Sequence, residues 1–228
     1  MDVIETLSLR GRTAYIDLIE PLEEGVAEVL IADEDGVLLH VQDTAYVATL
    51  FNPEAADTFA EAVPTSKGPI SVHAGPLVSA FKERGLTDPL ECMQAVYPST
   101  QLLVEDESII IRPLMDRDLP VVLQHYKLVD EAYILERFQA GVMIAAEIDG
   151  NLAGFMGRHI ECSMGMLEVL PQYRRRHVGE ALERTYINHL LSQDITPYCH
   201  VVAGNTASLS LQRKLGLEVS AELVYWFN

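Results

Sequence analysis

Along the chain, short apolar runs alternate with clusters of Gly, Pro, Asp and Asn, and the apolar period switches between two and 3.6 residues, the pattern of strands interleaved with helices. Residues 14–19 read as a short helix. Residues 26–31 and 37–41 flank Asp33-Glu34-Asp35-Gly36, a turn whose Gly tolerates positive φ, and so predict a hairpin. A third strand at 45–50 runs into Asn52-Pro53, an N-cap followed by Pro at the first helical position, which starts a helix over 54–62. After a break at 64–69 come a strand at 70–73, a helix opened by Gly75-Pro76 and stopped by Gly85, and a strand at 93–97.

The second half repeats this order with longer elements. It begins with a strand at 108–112, a helix over 116–126, a second helix over 131–138 closed by Gly141, and a hairpin of 142–148 and 152–160 around Asp149-Gly150. A long strand at 164–170 leads through Pro171 into Arg174-Arg175-Arg176 and a helix over 178–191, where Leu182, Tyr186 and Leu190 recur at helical spacing. A strand at 197–203, a helix over 208–215 stopped by Gly216 and a strand at 219–227 complete the chain. His73-Ala74-Gly75, a helix and Lys82-Glu83-Arg84-Gly85-Leu86 parallel Val202-Ala203-Gly204, a helix and Arg213-Lys214-Leu215-Gly216-Leu217, with Gly-to-Gly separations of 10 and 12 residues. The parallel predicts one unit written twice, over 1–103 and 104–228, with the arginine run in the second copy alone.

Composition narrows the function class. The 228 residues are 49% hydrophobic and 22% charged, which excludes disorder. No run approaches the ~18 apolar residues of a membrane helix, and Met1-Asp2-Val3-Ile4-Glu5 is acidic where a secretory leader is basic, so a cytoplasmic protein without membrane contact is expected. Cys92, Cys162 and Cys199 are odd in number and lack CxxC spacing, so they read as reduced, buried thiols, with neither disulfides nor a metal site. The 16 Lys+Arg against 34 Asp+Glu give a net charge of −18, which repels nucleic acid. Residues 1–106 carry 5 basic and 19 acidic side chains, whereas 107–228 carry 11 and 15, so an anionic ligand belongs to the second half.

The candidate chemistry follows the long strand, in Glu168-Val169-Leu170-Pro171-Gln172-Tyr173-Arg174-Arg175-Arg176-His177-Val178-Gly179-Glu180. A strand that turns into a helix N-terminus presents unpaired amides to an anion, and the helix dipole favours negative charge there. Gly179 lets a phosphate approach the backbone closely, and Arg174, Arg175 and Arg176 add full charges. A pyrophosphate-bearing coenzyme fits, whereas no GxxxxGK[ST] or GxGxxG motif supports a nucleoside triphosphate or a dinucleotide.

These residues resemble the GNAT acetyltransferase superfamily, whose phosphate loop reads [QR]xxGx[GA] after a V-x-P strand end. Val169-Leu170-Pro171, Arg174 and Gly179 match, while His177 stands where the first glycine is usual and implies positive-φ strain or a shifted loop. Asn205-Thr206-Ala207-Ser208 and Lys214-Leu215-Gly216-Leu217 resemble the family's N-x-x-S…KLGF element, whose Asn and Ser contact coenzyme A; either residue taken singly reads first as a helix cap. The resemblance covers about 108–228. It implies an α/β (α+β) protein with a mixed, mostly antiparallel central sheet flanked by helices, and the cofactor-binding set Val169, Leu170, Arg174, Arg175, Arg176, His177, Val178, Gly179, Glu180, Asn205, Ser208 and Gln212.

The implied activity is transfer of an acetyl or short acyl group from coenzyme A to a primary amine by direct attack on the thioester, with acetyl-CoA as co-substrate and no metal. A backbone N–H at the end of the strand, at Val169 or Leu170, is the candidate donor to the tetrahedral oxygen. Glu168 and Glu161 are the candidate bases, with His159 beside them. Gln212 occupies the position where family members often carry a Tyr acid, which leaves Tyr225 or water to protonate the thiolate. Glycine N-acyltransferases are similar in pairing a degenerate half with a working one, so a small amino acid is a candidate acceptor. Candidate partners are a small-molecule amine and, in a homodimer, a second copy of the chain. The alternatives are a non-catalytic acyl-CoA sensor, suggested by His177 and Gln212, and an interaction module that binds a basic protein through the acidic first half.

Overall fold

The computed structural model describes residues 2–64 and 68–227, so the middle of the predicted break at 64–69 lies outside the described residues. The helices are α1 (Val3–Gly11), α2 (Ile16–Glu23), α3 (Ala56–Ala62), α4 (Gly75–Glu83), α5 (Leu119–His125), α6 (Glu131–Gln139), α7 (Val178–Leu191) and α8 (Thr206–Leu215). The strands are β1 (Ala27–Ala32), β2 (Gly36–Val41), β3 (Ala45–Leu50), β4 (Ile70–Val72), β5 (Leu90–Val96), β6 (Ile110–Pro113), β7 (Ile144–Ile148), β8 (Asn151–Arg158), β9 (Met164–Val169), β10 (Tyr198–Val202) and β11 (Glu218–Phe227). The predicted order of elements holds from residue 26 onward. The N-terminus differs: two helices stand where one was expected, the first capped by Asp2, whose carboxylate accepts from the Glu5 N–H at 3.1 Å.

The chain forms two compact units that are discontinuous in sequence. One is Met1–Pro98 with Ile160–Cys162 and Tyr198–Asn228; the other is Ser99–His159 with Ser163–Pro197. This partition differs from the 1–103 and 104–228 halves, and strand pairing supplies the reason. In the first unit the strands run β1-β2-β3-β4-β11-β5-β10. β11, from the C-terminus, lies between β4 and β5 and is antiparallel to both. β5, from the first half, lies between β11 and β10. The segments β4-α4-β5 and β10-α8-β11 therefore interleave, each placing its last strand inside the other, and neither completes its backbone hydrogen bonds alone.

One face of this sheet packs on α3 and α4 through Leu38, Tyr46, Val72, Phe59, Phe81 and Phe227. On the other face Ile16 of α2 meets Val96, Tyr198 and Cys162. All three cysteines are buried and outside any disulfide, and burial pushes the Cys92 thiol up to about 12.

The second unit is the antiparallel sheet β9-β8-β7-β6 with helices on both faces. On one face α5 and α6 close over Phe155, Met166 and Leu170 with Val122, Tyr126 and Ile134. On the other, α7 comes so close to β8 that a Cβ at Gly154 would lie 3.1 Å from Val178 and 3.3 Å from Leu182. Arg112 of β6 donates to Asp118 at 2.6 Å and to Glu147 at 2.8 Å, which fixes the turn that enters α5. Burial would raise the Asp118 carboxyl, but hydrogen bonds from Arg112 and the Met115 N–H hold it below the usual range.

Candidate active site

The register of β9 decides which groups it offers. Gly154 stands opposite Val169 and Phe155 opposite Glu168; the pairing then shifts before Gly157 and Gly165. Met166 and Leu167 oppose Met156 alone, a bulge with Met166 at φ 54°, and such a bulge leaves one residue out of the ladder. The Leu170 N–H donates to the Ala153 carbonyl at 3.0 Å. Residues of an antiparallel pair alternate between bonded and non-bonded positions, so the N–H of Val169 points off the β8 side of its strand. The Leu170 amide is therefore engaged with β8, whereas the Val169 amide is turned away from that strand.

Glu168 shares a sheet face with Phe155 and Leu170, because paired residues face the same way and side chains alternate along a strand. It therefore points to the side covered by α5 and α6. Glu161 is buried in the β8–β9 connection, outside β9, in a segment that belongs to the other compact unit. His159 has its Nδ1 2.9 Å from the Tyr133 hydroxyl, and a Cβ at Gly165 would lie 2.4 Å from its Nε2. The ring therefore lies against Gly165 near the start of β9, away from the strand's C-terminal end.

Beyond β9, a single 3₁₀ turn at Pro171–Tyr173 carries the chain to the arginine run. Arg175 and His177 both adopt the left-handed conformation, at φ 61° and 60°. The strain predicted for His177 is present, and His177 becomes the N-cap residue of α7. No side chain caps that helix, so the amides of Val178 and Gly179 lie in its first turn, where a helix supplies no acceptor. The first backbone bond runs from the Ala181 N–H to the His177 carbonyl at 3.0 Å. Arg175 and Arg176 are exposed, with the Arg176 guanidinium 5.5 Å from the centre of the Tyr173 ring.

Two of the four basic side chains at this turn, Arg174 and His177, have carboxylate partners. Arg174 donates through Nη2 to Glu168 Oε1 at 3.1 Å and through Nε to the Val169 carbonyl at 3.1 Å. His177 Nδ1 lies 3.1 Å from Glu180 Oε2, while Arg184 donates to Glu180 Oε1 at 2.8 Å. The other predicted coenzyme ligands belong to the first compact unit. Asn205 is the N-cap of α8, its Oδ1 accepting from the Ser208 N–H at 3.1 Å, so the capping role is real. Gln212 is buried on α8, and Gly216, at φ 89°, ends that helix as expected.

A second polar cluster escaped the sequence reading. Asp17 is fully buried, with His73 Nε2 2.7 Å and His200 Nε2 3.7 Å from its Oδ2. Burial would raise its carboxyl, but the charge and hydrogen bond of His73 outweigh that effect and hold it below the usual range. His200 Nε2 lies 3.0 Å from Gln94 Oε1, and its Nδ1 accepts from the Trp226 indole at 3.1 Å. No sequence signal joins α2 to residues 56 positions away. Among the described residues, no group of three or more His, Cys, Asp and Glu could hold a metal, and no helix is long and apolar enough to cross a membrane.

Residues 143–227 match the sequence family described as FR47-like protein. No curated protein matches the chain. A putative acetyltransferase from the GNAT family of Novosphingobium aromaticivorans is 16% identical over 95% of this chain and 96% of its own, with a TM-score of 0.58. A GCN5-related N-acetyltransferase from Kribbella flavida is 10% identical over 95% of each chain, with a TM-score of 0.61. A tandem GNAT protein from the clavulanic acid biosynthesis pathway is 13% identical over 93% of this chain and 87% of its own, with a TM-score of 0.52. Identities this low speak for the fold alone: the chain has the mixed, mostly antiparallel fold of the GNAT acetyltransferases, and residues 143–227 carry the FR47-like pattern.

Proposed function

We propose that the chain is an acyl-CoA-dependent N-acyltransferase that moves an acetyl or short acyl group from coenzyme A to a primary amine, with a small amino acid among the candidate acceptors. The observation that carries this reading is the turn from β9 into α7, an uncapped helix start with no Cβ at Gly179, flanked by four basic side chains. Those features fit a diphosphate, since amides and cations converge on one short turn. The backbone N–H groups of Val178, Gly179 and Glu180 would hold it, with Arg174, Arg175, Arg176 and His177 around them. Asn205, Ser208 and Gln212 are assigned to the same coenzyme by resemblance, Asn205 through the amide nitrogen that its cap leaves over.

The reaction then needs little from side chains. The Val169 N–H stabilises the oxygen as the amine adds to the thioester carbonyl. Glu168 accepts the proton that the amine loses, and Glu161 stands as the alternative base. When the C–N bond is complete the C–S bond breaks. Gln212 cannot donate a proton to the thiolate as an acid does, so water or Tyr225 protonates it. The interleaved β4-α4-β5 and β10-α8-β11 segments, together with the similarity to a tandem GNAT protein, support two related halves, 1–103 and 104–228, of which the second works.

Calorimetry with coenzyme A, followed by thiol release from acetyl-CoA across a panel of small amines, tests the reading. One bound equivalent and turnover with at least one amine are expected. Binding without turnover on any amine would transfer the protein to the acyl-CoA sensor class, which His177 and the Arg174–Glu168 pair favour. Absence of binding would remove both readings.

A further inference from the structure

We propose that Arg174 is a shared cation which couples the donor site to the base: in the free protein it holds Glu168, and a bound diphosphate draws it away and releases the carboxylate for the amine. This rests on the acyltransferase reading above. Arg174 sits at the start of the phosphate turn yet reaches back six residues, placing Nη2 on Glu168 Oε1 and Nε on the Val169 carbonyl, each at 3.1 Å. One guanidinium thus covers the candidate base and the carbonyl of the residue whose N–H is the candidate oxyanion donor. While it stays there, Glu168 Oε1 accepts a hydrogen bond from the guanidinium in place of one from the incoming amine.

The exchange is favoured by exposure and charge. Arg174 is 60% exposed and Glu168 26%, so their pair contributes little and opens readily. A diphosphate carries more charge than a carboxylate and takes the guanidinium fork in two parallel bonds. The neighbouring pair is built differently. Glu180 holds His177 but also Arg184, so it keeps a partner if His177 turns to an anion. Among the described residues Arg174 is the one ion-pair partner of Glu168, which is left unpaired once the guanidinium moves. Release of the base is therefore specific to Arg174.

A double-mutant cycle on coenzyme A affinity, measured by calorimetry with the full chain at low salt, tests the exchange without reference to turnover. If Glu168 competes with phosphate for Arg174, Glu168→Gln tightens coenzyme A binding about 2- to 5-fold, the span expected for removing an exposed ion pair. In an Arg174→Gln background the same change has no effect, and in an Arg174→Lys background part of the gain returns. The gain shrinks at high salt. Unchanged or weaker binding in Glu168→Gln, or an equal gain in both backgrounds, overturns the coupling while leaving the acyltransferase reading intact. Failure of the wild-type chain to bind coenzyme A overturns that reading and the coupling with it. Thermal melts of each variant identify any that fails to fold; if Arg174→Gln is one, the Arg174→Lys background decides, since an undiminished gain there also overturns the coupling.

Discussion

Two strand-to-helix turns of this chain share a grammar and differ in what they can hold. β4 passes through Ala74 into α4, and β9 passes through the arginine run into α7; neither helix has a side-chain cap. At the first turn Pro76 removes an N–H, no acidic or basic residue occupies the opening turn, and Lys82 is the basic residue of the last turn. The one basic group beside it, His73, faces Asp17 in a buried pair. At the second turn the amides are intact and four basic side chains stand at the surface. An open helix N-terminus is thus common to both turns and does not by itself distinguish them. The difference lies in which charges the neighbouring residues leave available.

The largest effect is expected where the comparison is structural. Asp17→Ala should cost about 3 kcal/mol of stability, because it strands a buried partner, and urea unfolding would measure it. An unfolding midpoint that barely moves would mean that the cluster is a passenger. The pH dependence has a definite sign. The Asp17 carboxyl is held below its ordinary value in the folded state, so its contribution is complete above the ordinary carboxylate range and disappears as pH falls through the lowered folded value. Wild-type melting temperature should drop across that acid window, and the Asp17→Asn curve should be flatter there.

Next comes the base. Glu168→Gln should reduce kcat by about 10²–10⁴-fold without weakening coenzyme A binding, and Glu161→Gln serves as the parallel variant. Should Glu161 prove essential and Glu168 silent, the assignment moves back to the β8–β9 connection. Arg174→Ala is expected to weaken coenzyme A binding by about 1–3 kcal/mol, as a charged hydrogen bond does, which isothermal titration would detect. The smallest effect belongs to His177→Gly. Relief of a left-handed non-glycine residue should stabilise the free protein by about 1 kcal/mol and leave binding equal or tighter. A marked loss of affinity would identify His177 as a direct phosphate contact and sharpen the contrast with the β4 turn.

Much of the site was legible because it is local. Val169-Leu170-Pro171 and the arginines lie within one strand-turn-helix, so the order of residues already fixed the order of chemical groups. Asn205 and Gly216 announced the two ends of α8 for the same reason, since a cap acts within three or four residues of itself. α1 was missed because Val3–Gly11 has Leu7 as its one buried residue and so lacks a strong apolar stripe.

What the sequence determined by itself was therefore the succession of strands, turns and helices, the charge of each stretch, and a candidate place for an anion. Those follow from dihedral preferences, capping and composition, all of which act over a few residues. Tertiary structure alone decided that β11 pairs between β4 and β5, that His73 serves Asp17, that the Leu170 amide bonds to β8 while the Val169 amide turns away from it, and that Arg174 rests on Glu168. Each is a choice among partners of similar chemistry, and backbone register and packing across the sheet, not residue identity, select which one lies within hydrogen-bonding reach.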